Sequence, residues 1–500
     1  IMAGAYTLVL LSDLPLALRA VIAALVTISL AVAMERIAFR PLRDASPATL
    51  LVASFAVSIG LQSLALIVFG AFPRSTHVSS ALSQSFVVAG ISISRLSALT
   101  VGLTVVLLVG LGLFLRHTAL GVQMRASAEN FWMARALGVR ANRVIAAAFA
   151  ASGLLAAAAA FLLTAQRGEV TPTFGLNAVL IAFVATILGG LGSLVGAVLG
   201  GFFVGALTVA LQASLPLELR SYRDAFVFAA VLAVIVFRPQ GLVVARSVAA
   251  SVDAAPPSAP VATRAGGTTG PRGIARRLPT LALLCTLVAT VSLLGSLGSD
   301  SLDRTVINML VNLTLVVGLY LFVGNSGVFS FGHIAFMAVG AYTAAILTIP
   351  VEQKGFLFTA MPDFLRDIHL GTVPAILAGG AVAATFALIV SVPLMRLSGL
   401  AAGLGTFAVL VIVNDVAKNW EEVTNGLSGL PGVPQTTTVG SALVWALLAL
   451  AVAFLFQQTR ACLRLRASRE DAIAARAIGV KIGRERRISF CLSAFVMGVG

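Results

Sequence analysis

The chain contains RASAENFWMARALGV at residues 125–139 and the related RASREDAIAARAIGV at residues 466–480. We call these segments the first and the second repeated loop. Aligned at an offset of 341 residues (466 − 125), nine positions are identical: Arg125/Arg466, Ala126/Ala467, Ser127/Ser468, Glu129/Glu470, Ala134/Ala475, Arg135/Arg476, Ala136/Ala477, Gly138/Gly479 and Val139/Val480. The duplication predicts a chain built from two related halves. Because the surrounding sequence is apolar, two such similar polar loops indicate a surface that a partner outside the membrane grips.

The composition indicates a membrane protein. Hydrophobic residues make up 59% of the chain and charged residues 11%, whereas soluble domains contain about a quarter charged residues. Continuous apolar runs of about 20 residues recur along the chain, which favours membrane-spanning helices over a β-barrel. We therefore predict an all-α polytopic transmembrane helical bundle. Spans are expected near 1–12, 18–35, 48–71, 96–115, 144–165, 177–190, 194–212, 225–237, 279–297, 305–323, 331–350, 372–395, 402–416, 441–458 and 488–500.

Further similarities relate the two halves. GAYT occurs at 4–7 and again at 340–343, and SFAV at 54–57 resembles TFAV at 406–409. The same order of motifs predicts parallel repeats, with a pathway at the seam between the halves.

The predicted organisation is a first half (1–241), a flexible cytoplasmic linker (242–278) rich in Pro, Ala, Gly and Thr, and a second half (279–500). Ile1 and Gly500 both fall within apolar runs. The first half is therefore expected to be truncated at its N-terminus and the second at its C-terminus.

The net charge of +15 does not indicate nucleic-acid binding. Basic residues collect in short loops, which the positive-inside rule places in the cytoplasm. These loops are 36–47, 116–143, 238–278 and 459–487. The pattern predicts a multi-pass membrane protein, with the lipid bilayer as its surroundings and these loops on the cytoplasmic side.

The repeated loops resemble docking helices. Ser468 followed by Asp471 is a capping-box pattern, and Ser127 followed by Asn130 is a weaker one. Gly138 and Gly479 stand where a helix would end. These signals predict a helix of about ten residues, roughly 15 Å long. Ala134, Ala136, Ala475 and Ala477 would permit close approach of a partner, and Arg135 and Arg476 would bind its carboxylates or carbonyls. The alternative is a basic loop that only fixes the topology.

The E-x4-A-R-x-x-G-V pattern of both loops resembles the coupling loop of ABC importer permeases, in which a short cytoplasmic helix sits in a cleft of an ATPase subunit. The resemblance implies that ATPases contact Glu129, Ala134, Arg135 and Gly138 in the first loop, and Glu470, Ala475, Arg476 and Gly479 in the second.

The wider sequence resembles the branched-chain amino-acid permeases, whose two permease subunits are here fused. The first half carries the resemblance in residues 35–43, 134–156, 188–201 and 237–242, and the second half in 326–345, 406–434 and 474–490.

Other candidate positions have structural alternatives. Gly192, Gly196 and Gly200 form a G-x3-G-x3-G run typical of close helix packing. His333 and Asn425 are candidates for the path or its gate, against a helix-end hydrogen bond and a solvated turn respectively. Further polar residues in apolar segments are Gln62, Asn177, Asn312 and Asn414. No metal-ligand spacing is present, and Cys285, Cys462 and Cys491 are expected to be inert.

The chain contains no phosphate-binding G-x4-G-K-[ST] motif and no arrangement of catalytic residues. It is therefore expected to be a transport permease rather than an enzyme, and to bind no cofactor. The resemblance implies that two cytoplasmic ATPase subunits hydrolyse ATP and that a periplasmic solute-binding protein delivers branched-chain amino acids. The alternatives are an ABC permease for an amide, urea or a sugar, or an ion-coupled secondary transporter.

Overall fold

The structure is a computed structural model that describes residues 1–243 and 271–500, except 44, 46, 76–83, 89–90, 191, 239–240, 298–299, 359–360 and 398. Most of the described chain is helical. The helices before residue 244 are α1 (Met2–Leu10), α2 (Leu16–Met34), α3 (Pro47–Phe69), α4 (Arg95–His117), α5 (Ala119–Glu129), α6 (Phe131–Ala136), α7 (Ala141–Arg167), α8 (Leu176–Gly189), α9 (Leu194–Ser214) and α10 (Arg223–Phe237).

After residue 270 the chain forms twelve further helices among the residues described. They are α11 (Pro271–Ser296), α12 (Asp300–Leu319), α13 (Ile334–Thr348), α14 (Val351–Leu357), α15 (Asp363–Arg366), α16 (Thr372–Leu394), α17 (Gly399–Asn419), α18 (Glu421–Thr424), α19 (Val439–Gln457), α20 (Arg460–Glu470), α21 (Ala472–Ala477) and α22 (Ile482–Val499).

Short helical segments of other types adjoin these helices. A π-helical turn, Glu35–Phe39, continues α2 and is followed by a 3-10 turn, Arg40–Leu42; a second π-helical turn, Tyr320–Gly324, continues α12. Further 3-10 turns cover Leu217–Tyr222 and Gly426–Ser428.

Two small antiparallel sheets complete the described secondary structure. Strand β1 (Arg74–Ser75) pairs with β4 (Glu169–Val170), and β2 (Ser85–Val88) pairs with β3 (Ile91–Ser94). In the second sheet Phe86 lies opposite Ile93.

Ten helices in the described part of the chain are long and apolar enough to cross a membrane. Helix α4 shows why they need a lipid environment: it is apolar along its length, and none of its residues is buried. A helix that exposes apolar side chains on every face is stable where lipid, not water, surrounds it. The predicted all-α, multi-pass transmembrane fold is confirmed.

The described residues form two compact units, one containing 1–183 and the other containing 184–243 and 271–500. The end of α8 and all of α9 and α10 therefore belong to the same unit as the helices that follow residue 270, with α9 packed on α10 and α10 packed on α17. The sequence, by contrast, predicts a first half that extends to residue 241. Most of the predicted linker, 244–270, lies outside the described residues. Its last eight residues, 271–278, are the start of α11, so this helix begins earlier than the sequence predicts.

The same order of helices occurs in both units. Helices α1 to α7 correspond in sequence order to α13, α16, α17, α19, α20, α21 and α22. Within the first unit α2 packs on α1 and α7, and within the second α16 packs on α13 and α22. The internal packing is therefore repeated together with the sequence motifs.

Glycines allow the central helices of each unit to touch through their backbones. A Cβ on Gly340 would lie 2.4 Å from the carbonyl oxygen of Gly498, and one on Gly379 would lie 2.7 Å from the carbonyl oxygen of Gly340. In the first unit, a Cβ on Gly153 of α7 would lie 2.9 Å from the Cα of Ile28 in α2. Helices in lipid associate by such close packing, because burial of apolar surface contributes little there.

A buried carboxylate anchors the end of α2. Glu35, at the start of the first π-helical turn, is buried and forms an ion pair with Arg43. Arg43 also donates a hydrogen bond to Asn142, near the start of α7. The segment 35–43, which carries part of the family resemblance, thus connects α2 to the helix that follows the first repeated loop.

Replacing Gly340 with Ala should lower the thermal unfolding temperature of the purified chain, because the new Cβ meets backbone that cannot move aside. Overpacking of this kind costs about 1–3 kcal/mol. Gly205→Ala is the matched control, since no atom lies within 4 Å of a Cβ there. Equal unfolding temperatures for the two variants would contradict this account of the packing.

Replacing Arg43 with Ala should destabilise the chain by about 3 kcal/mol, because it leaves the Glu35 carboxylate buried without its partner. Arg36→Ala removes an exposed arginine from the same segment and should have little effect. Chemical denaturation in detergent measures both variants. A loss no larger for Arg43→Ala than for Arg36→Ala would show that the ion pair does not hold this segment.

Candidate functional site

Each repeated loop folds into two helices that meet at an Asn or Asp residue. Asn130 ends α5 and begins α6, and Asp471 ends α20 and begins α21. Oδ1 of Asn130 accepts a hydrogen bond from the backbone N–H of Met133 at 2.9 Å. Oδ1 of Asp471 accepts from the N–H groups of Ile473 and Ala474 at 2.8 and 2.9 Å. These side chains are therefore the N-caps of the short helices.

This arrangement corrects two sequence predictions. Ser468 is not an N-cap: it lies inside α20, where its hydroxyl donates to the carbonyl of Leu465 at 2.7 Å. The docking helix has six residues in each loop instead of about ten, so it is about 9 Å long. The reason is that the chain becomes extended at Asn130 and Asp471, which divides each predicted helix in two.

Glycine ends both short helices in the same way. Gly138 and Gly479 have φ values of 88° and 85°, a left-handed conformation that disfavours other residues. The next N–H, of Val139 or Val480, donates to the carbonyl of Ala134 or Ala475 at 3.1 and 3.0 Å. This is the Schellman pattern, and it confirms the predicted helix ends.

Large apolar side chains project from these helix ends. Leu137 is 80% exposed and its counterpart Ile478 is 78% exposed. Trp132 and its counterpart Ile473 are also exposed, and the guanidinium of Arg135 lies 5.8 Å from the centre of the Trp132 ring. Sequence analysis missed this apolar pair because it considered the positions that are identical in the two loops.

The other candidate residues of the loops divide into exposed and buried groups. The exposed ones are Glu129, Arg135, Gly138, Glu470, Arg476 and Gly479. Ala134 and Ala475 are only 4% and 3% exposed, and Ala475 packs on Val480 and Ile482. The prediction that Ala134 and Ala475 admit a partner is therefore wrong: they hold each helix against its own unit, and exposed Ala136 and Ala477 remain for that role.

Arginines tie the second repeated loop to neighbouring helices. Arg464, just before the loop, pairs with buried Glu485 of α22 at 3.1 Å. Arg466 donates through Nε to Oδ1 of Asn325 at 2.9 Å, and Arg469 donates through Nη1 to the carbonyl of Gly324 at 2.8 Å. Helix α20 is thus held on two sides.

His333 lies in a closed aromatic cluster. Its ring stacks on Phe322 with centroids 5.3 Å apart and contacts Phe336 and Phe490 edge-on. Nδ1 hydrogen-bonds with the Ser330 hydroxyl. These contacts favour a structural role at the start of α13, and sequence analysis could not identify the aromatic partners because they come from three separate segments.

Asn425 occupies a tight turn after α18. Its φ of 58° is left-handed, and its side-chain amide donates to the carbonyl of Gly429 at 2.7 Å. Gly426 and Gly429 also have positive φ values, which confirms the predicted turns in this segment. Leu427, at the tip, is 85% exposed.

The glycine run divides at the start of α9. A Cβ on Gly196 would lie 2.4 Å from the carbonyl oxygen of Gly189, and one on Gly200 would lie 2.0 Å from that of Ala185. Both glycines therefore bring α9 against the end of α8. Gly192 departs from the predicted helical run: it precedes the N-cap Ser193, and its φ of 88° places it in a turn.

A cavity of about 450 Å³ in the first unit is lined by α1, α2, α3, α7 and α8. Gln62 and Ser58 line it and hydrogen-bond to each other at 3.0 Å. Ser54, another lining residue, is equivalent to Thr406 in the SFAV and TFAV motifs. In the second unit, Thr406 is covered by the segment 330–333, since its hydroxyl accepts from the N–H of Phe331 at 3.1 Å. The same motif therefore lines a cavity in the first unit and packs against protein in the second unit.

The remaining polar candidates lie elsewhere. Asn312 and Asn414 are exposed on their helices, and the side chain of Asn177 lies outside the described residues.

An aspartate on α17 binds the start of α10. Oδ2 of Asp415 accepts from the backbone N–H of Ala225 at 2.8 Å, and the Tyr222 hydroxyl donates to the carbonyl of Asn419 at 2.9 Å. Burial, together with the nearby carboxylates of Glu422, Asp415 and Glu421, raises the pKa of Tyr222 above its ordinary value. Asp415, near the end of α17, therefore has a helix N-terminus as its partner.

Buried Lys354 organises the segment between α13 and α16. Its Nζ donates to the carbonyl oxygens of Leu365 and Ile368 at 3.2 and 2.5 Å. Burial lowers the pKa of Lys354. In the same segment, Ile349, Phe358 and Met361 belong to a small cluster of buried apolar residues.

Comparisons with known proteins give the same assignment for both halves. The family model described as "Branched-chain amino acid transport system / permease component" matches residues 1–235 and 301–500. The high-affinity branched-chain amino acid transport system permease protein BraD of Pseudomonas aeruginosa is 34% identical over 239 residues, which cover 46% of this chain and 76% of BraD. LivH of Escherichia coli, with the same description, is 32% identical over 214 residues, which cover 42% of this chain and 68% of LivH.

A relative of different description matches a shorter stretch. The autoinducer 2 import system permease protein LsrC of Klebsiella pneumoniae is 39% identical over 108 residues, covering 20% of this chain and 31% of LsrC. No solved structure matches the chain significantly. Because the family model covers most of both halves, the resemblance seen in the sequence is confirmed, and the chain belongs to the family of branched-chain amino acid transport system permease components.

Proposed function

We propose that this chain is the fused membrane permease of a bacterial ABC importer, located in the inner membrane, that translocates leucine, isoleucine, valine or related amphipathic amino acids. Two separate cytoplasmic ATPase subunits bind and hydrolyse the ATP, and the permease itself carries no cofactor. The names of BraD and LivH support the substrate class.

The observation that carries the proposal is the pair of matching short helices. Each has an Asx N-cap and a glycine end, and each exposes an arginine next to a large apolar side chain, Leu137 or Ile478. Arginine is enriched in the hot spots of protein interfaces, and exposed apolar side chains that cluster on a surface mark interaction sites. Two copies in one chain suit two copies of an ATPase.

The proposed mechanism depends on the helices that adjoin each short helix. Closure of the ATPases on ATP would push both helices, and their rigid caps would pass the movement to the adjoining helices α7 and α22. A periplasmic solute-binding protein would deliver the amino acid to the outer face. The turn segment 419–434, with Leu427 exposed at its tip, is a candidate contact for it.

The alternatives differ in what they must explain. The first alternative is an ABC permease for another small solute, such as an amide, urea or a sugar. LsrC, whose name gives autoinducer 2 import, is a similar permease with a solute other than an amino acid in its name. An ion-coupled secondary transporter requires an ionisable intramembrane site. Among the described residues, Asp415 and buried Glu35 are acidic candidates for such a site. Asp415 binds the start of α10 and Glu35 pairs with Arg43, which favours structural roles for both.

Changing Leu137 and Ile478 together to Asp should abolish ATPase association, because it removes both apolar anchors. Loss of an anchor costs at least about 2 kcal/mol, or roughly 30-fold in affinity. Leu427→Asp is the matched control, since it alters an equally exposed leucine outside the repeated loops. Co-purification of tagged ATPases from membranes measures the effect. Retained association in the double variant would refute the docking role of these helices.

Leucine, isoleucine or valine should stimulate ATP hydrolysis when the chain is reconstituted with its ATPases and binding protein, whereas ribose and urea should not. Stimulation by a different solute would keep the ABC mechanism and replace the substrate. Transport driven by an ion gradient in vesicles without any ATPase would contradict the proposal and favour the secondary transporter.

A further inference from the structure

Asn325 lies where the second repeated loop meets the membrane helices. It follows the π-helical turn Tyr320–Gly324 at the end of α12 and is fully buried. Its side-chain amide donates to the carbonyl oxygens of Leu321 and Tyr320 at 3.0 and 3.3 Å. A π-helical turn changes the regular hydrogen-bond pattern of the helix, and the Asn325 amide supplies an additional donor to these two carbonyls.

The acceptor side of the same amide faces α20. Oδ1 of Asn325 receives Nε of Arg466 at 2.9 Å and the thiol of Cys462 at 3.3 Å. Arg466 is one of the nine positions that are identical in the two repeated loops. The donors and the acceptor of this buried amide thus join the end of α12 to α20, and the charged donor Arg466 strengthens the contact.

A second arginine closes the same junction. Arg469 donates to the carbonyl of Gly324, and its side chain lies over Gly327, where a Cβ would be 2.8 Å from its Cγ. Two reasons therefore favour glycine at this position. The side chain of Arg469 occupies the space that a Cβ would need, and the φ of 67° is a left-handed conformation.

The π-helical turn also contacts the aromatic cluster. Phe322 lies within the turn and stacks on His333, and the hydroxyl of Ser489 on α22 donates to the carbonyl of Leu321 at 2.7 Å. A continuous series of contacts therefore runs from α21 through α20 and Asn325 to the start of α13.

We propose that Asn325 is a positioning residue that makes the second repeated loop and the π-helical turn move as one body. The role rests on the proposed function, in which ATPases push α21. Asn325 is fully buried, so it acts through Arg466 and α20. Its loss should leave ATPase association intact while movement of α21 no longer reaches the aromatic cluster, so ATP is hydrolysed with less transport.

The test compares four variants of the full chain. Asn325→Leu keeps the size of the side chain and removes both its donor and its acceptor, and Arg466→Ala removes the partner from α20. Asn325→Asp keeps an acceptor for Arg466 and serves as the conservative rescue. Arg125→Ala is the matched control, because it removes the equivalent, exposed arginine of the first repeated loop.

The first measurement needs no ATPase. Amide hydrogen exchange of residues 318–328 in nanodiscs should quicken on the order of tenfold in Arg466→Ala and Asn325→Leu, since a buried charge-assisted contact is lost. It should stay unchanged in Arg125→Ala. Arg466→Ala changes a partly exposed side chain, so it decides the result if Asn325→Leu does not fold.

The second measurement is the amount of solute transported per ATP hydrolysed in the reconstituted transporter. It should fall about fivefold or more in Arg466→Ala and Asn325→Leu, and by less in Asn325→Asp. An unchanged ratio in Arg466→Ala, or an equal fall in Arg125→Ala, would overturn the proposal. A wild-type chain that binds no ATPase would refute the proposed function instead, and the exchange measurement would still show whether the junction exists.

Discussion

Close contact between helix backbones is the constraint on which the rest of the structure depends. In a bilayer every backbone N–H and C=O must be satisfied within the protein, so the spanning segments are helices. Burial of apolar surface does not hold these helices together in lipid, because the lipid tails are equally apolar. Close van der Waals contact between the helices must do so instead. Gly340, Gly379 and Gly498 provide it in the second unit, where α13, α16 and α22 meet without intervening side chains.

Each repeated loop leads into one of these closely packed helices, α7 or α22. Each short helix is only six residues long, which is too short to be stable by itself in water. It is stabilised by its Asx N-cap, its glycine end and one buried alanine, Ala134 or Ala475. The exposed apolar residues at its end are therefore held in a fixed position, although they contribute nothing to the stability of their own unit.

The sequence predicts the helices well because long apolar runs and basic loops are strong local signals. Gly138 and Gly479 were identifiable as helix ends for the same reason, since glycine has a distinctive backbone preference. The start of each short helix was not identifiable, because Ser, Asn and Asp are all favoured N-cap residues and the sequence does not show which of them begins the helix. No local pattern specifies contacts between residues that are distant in sequence. Such contacts determine the burial of Ala134 and Ala475, most of the aromatic cluster around His333, and the packing of α10 on α17.

The contact between Asp415 and the start of α10 has a consequence for assembly. Helix α10 belongs by sequence to the first permease, and α17 belongs to the second, which in a two-chain transporter would have to find each other by diffusion. Here the two halves belong to one polypeptide, with 33 residues between Phe237 at the end of α10 and Pro271 at the start of α11. Tethering by a short connection raises the effective concentration of one partner around the other to the order of millimolar. Synthesis of a single polypeptide therefore fixes a one-to-one stoichiometry of the two permeases, whatever the level of expression.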